Sequence, residues 1–209
     1  MGPNGSGKTT TLRILATILK PSYGDVRVFG LNVVKEASKV RELISYLPEE
    51  ADLYRRLTGY ENLMFFARMY SSVKKEVEEM VEFGIKLSEL GNRIHDRAET
   101  YSKGMRRRLA LARTLMVKPR LAILDEPTAG LDVYASVKVR NAIKMFVKET
   151  GSTVLLSSHN MLEVEYLCDR VAFICKGRIL DEGNPNALKK KYNAKNLEEA
   201  FIRVVQHEL

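Results

Sequence analysis

Gly2-Pro3-Asn4-Gly5-Ser6-Gly7-Lys8-Thr9 fits the pattern G-x-x-x-x-G-K-[ST], and each residue type in it has a chemical reason to be there. Glycines let the backbone wrap so that successive N–H groups point inward at phosphate oxygens. Lys8 brings positive charge to the β and γ phosphates of a nucleotide, and the Thr9 hydroxyl is a ligand for Mg²⁺. Thr10 opens a stretch running to Leu19 whose apolar spacing suits a helix ended by Pro21. Phosphate would then lie at a helix N-terminus, where dipole and free N–H groups favour it. A glycine-rich turn matching by accident is the competing reading, and it is rare in a chain of this length. One motif nevertheless specifies only a nucleotide.

Two later segments bring chemistry to the ends of strands. Leu121 to Glu126 is an apolar run ending in two acids, and open α/β sheets place ligand-binding groups at the carboxyl edge of their strands. Asp125 would hold Mg²⁺ directly or through water, and Glu126 would polarise an attacking water. A strand that merely ends in solvated acids is the alternative. Thr153 to Ser158 is a second such strand, delivering His159 to the same edge, although a lone histidine there is more often structural. Ser102 is a good N-cap for the helix that follows. Its hydroxyl, the Lys103-Gly104 backbone and the helix start make a second phosphate-binding surface, suited to a nucleotide held by another subunit. The run Arg106-Arg107-Arg108 reads either as a DNA patch or as a solvated helix face adding to the phosphate field; the second reading is preferred.

Other elements must position these groups. Asp25 to Phe29 reads as a strand stopped by Gly30, Lys35 to Leu43 as a helix and Ile44 to Leu47 as a strand. From Thr58 to Ala98 the pattern turns helical, with Leu63, Phe66, Ala67 and Tyr70 on one face and Val77, Met80, Val81 and Ile85 on another. The aromatic stripe Phe65, Phe66 and Tyr70 reads as core. Val133 to Lys148 is a long helix, Val171 to Cys175 and Arg178 to Asp181 a hairpin through Lys176-Gly177, and residues 184–209 two short helices. His95 and His207 read as ordinary surface residues, and there is no internal repeat.

Composition sets the outer bounds. The chain has 209 residues, 45% hydrophobic, with 34 Lys+Arg against 26 Asp+Glu and a formal net charge of +8. That excludes intrinsic disorder and low-complexity fibres and allows a substantial core. No apolar run approaches the ~18 residues of a membrane span. There is no signal-peptide pattern, and the loose fit of Met1 to Ser6 to a myristoylation site is better explained by the phosphate loop. The two cysteines have no metal-ligand spacing, so the expectation is a soluble, cytosolic chain without disulfides. The charge suggests an acidic partner, whether nucleotide, nucleic acid or membrane surface.

In order along nearly the whole chain, Gly2 to Thr9, Ser102-Lys103-Gly104, Leu124-Asp125-Glu126-Pro127-Thr128, Gly130-Leu131-Asp132 and Ser158-His159 resemble an ABC-family ATPase. They match its Walker A loop, signature, Walker B, D-loop and switch histidine. The Tyr101-to-Met105 signature and the 177–183 stretch resemble the type-2 exporters of drugs, lipids and polysaccharides. The resemblance implies an α/β fold, a P-loop NTPase (RecA-like) core with an inserted helical subdomain. Residues 1–182 would be the cassette, the subdomain about 55–112, and 183–209 a C-terminal helical extension. It implies a sandwich dimer binding two ATP with Mg²⁺, each between the P-loop of one subunit and Ser102, Lys103 and Gly104 of the other. Glu126 would be the general base or water-orienting group, His159 would contact the γ-phosphate, and Asp132 would carry information across the interface.

Two positions depart from the family pattern. Glu49-Glu50 stands where the Q-loop glutamine is expected; Glu49 can still approach Mg²⁺, but a carboxylate accepts hydrogen bonds only. The signature keeps only Ser102 and Gly104 of Leu-Ser-Gly-Gly-Gln, with Lys103 adding a charge near phosphate. The partners implied are an integral membrane permease subunit and a second ABC ATPase subunit, identical or not, at the cytoplasmic face of the membrane. The rim of the helical subdomain and the loop from Glu49 to Tyr54 would be the docking surface. Direct nucleic-acid binding is not expected. A soluble ABC ATPase acting on nucleic acid or ribosomes is the alternative, disfavoured by the absence of heptads, zinc-binding cysteines or a second cassette. A regulatory module without turnover is disfavoured by Glu126. Because only Met1 precedes Gly2, the family's first strands and its adenine-stacking aromatic are expected to be missing, with weak folding and poor adenine affinity as consequences.

Overall fold

The computed structural model describes the backbone of residues 1–208 and the side chains of 1–206. Three strands form the central parallel sheet: β3 (Ile44–Leu47), β4 (Leu121–Asp125) and β5 (Thr153–Ser157), in the order β3-β4-β5. Leu47 pairs with Leu124, and Asp125 pairs with Ser157. In register and parallel, the strands release Pro48-Glu49, Glu126 and Ser158-His159 at one carboxyl edge. Two antiparallel pairs flank this sheet, β1 (Arg27–Val28) with β2 (Leu31–Asn32), and β6 (Val171–Cys175) with β7 (Arg178–Gly183). The Met1 carbonyl accepts from the Ile174 N–H at 2.8 Å, placing the start of the phosphate loop against β6.

Helix α1 (Lys8–Leu15) stops four residues short of the expected Leu19. The N–H groups of Thr17 and Ile18 bond the carbonyls of Ile14 and Arg13, with Thr17 at φ 63. This is a Schellman closure with threonine where glycine is usual, so the stop carries no glycine signal. Leu12 and Ala16 pack with Val28, Val33, Val40 of α2 (Ala37–Leu43), Ile44 and Ile123 in one core on this side of the sheet.

On the other side, α3 (Gly59–Tyr70), α4 (Lys74–Ser88), α5 (Lys103–Leu115) and α6 (Val133–Thr150) share a second core that includes Leu63, Ala67, Val81, Leu111 and Phe146. Thr58 and Glu61 close a reciprocal capping box at the start of α3. Only part of the aromatic stripe is core: Phe66 is half-buried and packs against this core, while Phe65 is 43% and Tyr70 58% exposed. The buried face of α3 is Gly59, Asn62, Leu63 and Ala67, which leaves Phe65 opposite and Tyr70 beyond the packing at the helix end. A third core joins α7 (Met161–Leu167), β6 and β7 to α8 (Pro185–Lys191) and α9 (Leu197–Glu208). His95 is exposed, as expected; the His207 side chain lies outside the described ones.

Candidate functional site

Residues 4–10 turn around a cavity of about 380 Å³, lined also by Glu49, Glu126 and His159. Gly5 and Gly7 take φ 76 and 101, which L side chains rarely adopt. Gly2 has a different reason, since a Cβ there would lie 2.1 Å from the Ile174 carbonyl oxygen. The Lys8 ammonium donates to the carbonyls of Gly2 (2.7 Å) and Pro3 (3.1 Å) and lies 3.6 Å from Glu126 Oε1.

Glu126 leaves β4 at φ 46, a strained conformation for a side chain with a Cβ. Its N–H donates to Ser157 Oγ at 3.0 Å, and its Oε2 lies 2.8 Å from His159 Nδ1. Asp125 is fully buried. It accepts from Ser157 Oγ (2.6 Å), Thr9 Oγ1 (3.2 Å) and Tyr46 hydroxyl (3.4 Å). Burial is the largest cause of an upward pKa shift at Tyr46. A buried carboxylate beside a hydroxyl at the phosphate loop is the hard-oxygen set that suits Mg²⁺ carried with phosphates and water.

Sequence reasoning named Lys8, Thr9, Thr10, Glu49, Asp125, Glu126 and His159, and the structure brings these together. Ser102, Lys103, Gly104 and Asp132 do not line this cavity. Ser102 caps α5 by accepting from Met105 N–H (3.2 Å), and Asp132 caps α6 by accepting from Ala135 N–H (2.8 Å). The two helix starts abut at Gly104 and Ala135. Lys103 and Glu49 line a second cavity of about 500 Å³.

The arginine run corrects an expectation. It is not a solvated face: Arg107 is buried, and Arg108 donates to the carbonyls of Ser88 and Glu89. Beyond placing Arg107 in that charged run, the sequence reading gave it no role, and it gave none to Tyr46, Ser157 or Glu163. Glu163 is buried and accepts from Ser158 Oγ at 2.7 Å. For Arg107 a signal was present, since it shares a helical face with the apolar Leu111 and Leu115.

A phosphate-binding loop opening a helix, beside a parallel sheet whose carboxyl edge presents an aspartate, a glutamate and a histidine, defines a P-loop nucleotide-binding protein. The ABC transporter family model matches residues 1–129, and the chain belongs to that family. It is 45% identical over 185 residues to an uncharacterised ABC transporter ATP-binding protein, YhcH, of Bacillus subtilis strain 168, covering 88% of this chain and 59% of that protein. It is 40% identical over 193 residues to the daunorubicin/doxorubicin resistance ATP-binding protein DrrA of Streptomyces peucetius, covering 90% of this chain and 57% of that one. The chain thus spans little more than half the length of either relative. An ATP-binding cassette solved as a dimer in a post-hydrolysis state with ADP and Pi superposes with a TM-score of 0.77 at 26% identity, over 88% of this chain and 83% of that one.

Proposed function

We propose that this chain binds ATP with Mg²⁺ and hydrolyses it as the energising subunit of a membrane exporter. The observation that carries the reading is the phosphate-loop cavity with Glu126 joined to His159 on its wall. Lys8 and the loop N–H groups would hold the phosphates. Thr9 and Asp125 would hold Mg²⁺, which when bound neutralises charge on the phosphate oxygens. Glu126 would orient the attacking water and take its proton. His159 would hold that carboxylate through Nδ1, leaving its other ring nitrogen for a phosphate oxygen.

Ser102, Lys103 and Gly104 do not reach this cavity, which supports their use on a nucleotide held by a second ATPase subunit; the superposed cassette is itself a dimer. Asp132, capping α6 beside them, would lie at that interface, and Glu49 would sense the nucleotide from the first cavity. Within the chain, residues 1–182 would form the cassette with its helical subdomain at about 55–112, and 183–209 the extension.

Among the described residues no helix is long and apolar enough to cross a membrane. The partner for export would be an integral membrane permease, with this chain on its cytoplasmic face. The resistance named for DrrA supports export. Tyr54 and Phe65, edge-on at 4.9 Å, with Met69 (69% exposed) and Tyr70 form an apolar rim for that partner. Two measurements test the reading: ATP turnover by the purified chain, abolished by Glu126→Gln, and retention by a co-expressed permease, lost on Phe65→Glu. Turnover stimulated by nucleic acid with no permease bound would refute the exporter assignment.

A further inference from the structure

Arg107 is 8% exposed and lies five residues past Ser102 on α5. A guanidinium has five N–H donors. Here Nε donates to the Pro127 carbonyl (2.8 Å), Nη1 to those of Pro48 (2.8 Å) and Glu49 (2.9 Å), and Nη2 to those of Asp125 and Glu126 (2.9 Å each). All five acceptors are backbone oxygens. Two belong to the turn that carries Glu49 and three to the turn that carries Glu126. Burial pulls the guanidinium pKa down, opposed by the nearby carboxylates of Glu49, Asp125, Glu163 and Glu126. Desolvating such a group is costly, and only complete bonding at good geometry offsets it. Lysine, a point charge on a flexible stem, cannot span both turns.

We propose that Arg107 is a positioning residue that locks the Glu49 turn to the Glu126 turn and ties both to α5. The two carboxylates keep one spacing across the phosphate-loop cavity. A displacement of α5 at Ser102 is passed to Glu126 through the same guanidinium. Sheet pairing alone does not provide this link, because β3 and β4 pair only as far as Leu47 and Leu124 and both turns begin beyond them.

This inference rests on the reading of the chain as an ATPase, and the test separates the two. The purified chain and Arg107→Lys are compared for affinity to a fluorescent ATP analogue, for steady-state ATP turnover, and for deuterium exchange of the turns at 48–50 and 125–128. Arg107→Lys should keep nucleotide affinity within about threefold and lower kcat by about 10- to 100-fold, as expected when a reacting group is misplaced rather than removed. Exchange should quicken in both turns together. Free guanidinium should restore part of the turnover of Arg107→Ala, which a loss of packing would not allow. Parental kcat in Arg107→Lys, or faster exchange in one turn only, overturns the proposal. A parent chain that binds nucleotide without turnover sinks the hydrolysis reading instead, and exchange at the two turns then decides the link alone. Should neither variant fold, the parent itself decides: Mg-ATP must protect both turns and residues 102–105 together, and protection confined to one segment overturns it.

Discussion

Glu126 Oε2 lies 2.8 Å from Nδ1 of His159, joining the group released by β4 to the group released by β5. The His159 N–H approaches the same oxygen at 3.4 Å, while Lys8 lies 3.6 Å from the other. A carboxylate held at both oxygens has its plane fixed before substrate arrives. His159→Ala removes one hold without touching the phosphate loop. It should lower kcat by about 100-fold, within the range for a general acid–base partner, and leave nucleotide affinity within a few-fold. Loss of affinity in step with kcat would instead mean that His159 acts mainly through its contact with phosphate and not by holding Glu126.

Ser157 does two tasks with one hydroxyl, donating to Asp125 at 2.6 Å and accepting from the Glu126 N–H at 3.0 Å. All three residues are buried. Ser157→Ala leaves a buried N–H without its acceptor, a loss of about 1–3 kcal/mol. Urea unfolding of the variant should show a midpoint lower by the corresponding amount, with turnover reduced as Glu126 loosens. An unchanged midpoint would mean that water replaces the hydroxyl.

The parts of this site that were legible in the sequence are those where local pattern and backbone direction do the positioning. The glycines and Lys8 form their loop by local conformation. Asp125, Glu126 and His159 follow apolar runs, and a parallel register sends all such ends to one edge. Arg107 shares a face with Leu111 and Leu115, but its neighbours Arg106 and Arg108 make it look like part of a charged surface, and its burial depends on two turns distant in sequence. Ser157 and Glu163 were hidden because a serine in an apolar strand and a glutamate in a short helix have many bland explanations. The end of α1 failed for a local reason, since Thr17 takes a backbone conformation that sequence pattern reserves for glycine. Phe65 and Tyr70 were misplaced in the core because period alone does not say which face of α3 meets α4.

Glu61 gives the start of α3 a pH dependence. Bonds from the backbone N–H and the side chain of Thr58 to its carboxylate hold its pKa below 4.5. A depressed folded-state value stabilises the folded chain above the unfolded value, and that contribution disappears as pH falls through the folded one. Glu61→Gln should therefore be less stable than the parent at neutral pH, and the difference should shrink as pH falls through the carboxylate's folded-state value. Thermal midpoints of the two chains across that range check the sign. A gap that widens on acidification would exclude the capping box as its cause.

Gly104 is where the segment proposed to hold a second subunit's nucleotide meets the rest of the molecule. A Cβ there would lie 2.7 Å from Cβ of Ala135, below any normal contact, so α5 and α6 approach closely because this position is glycine. Both helix starts carry a side chain proposed for the subunit interface, Ser102 on one and Asp132 on the other. Gly104→Ala forces the helices apart at the point that sets the spacing of these two caps. Overpacking of this kind costs about 1–3 kcal/mol. Removing the opposing methyl in Gly104→Ala/Ala135→Gly relieves the clash, although glycine near the start of α6 brings its own cost of up to about 1 kcal/mol. The double variant should be more stable than the sum of the two single changes predicts, and ATP-dependent dimerisation should recover with it. Simple additivity in thermal unfolding would show that the clash is absorbed elsewhere and that the helix spacing is not set at Gly104.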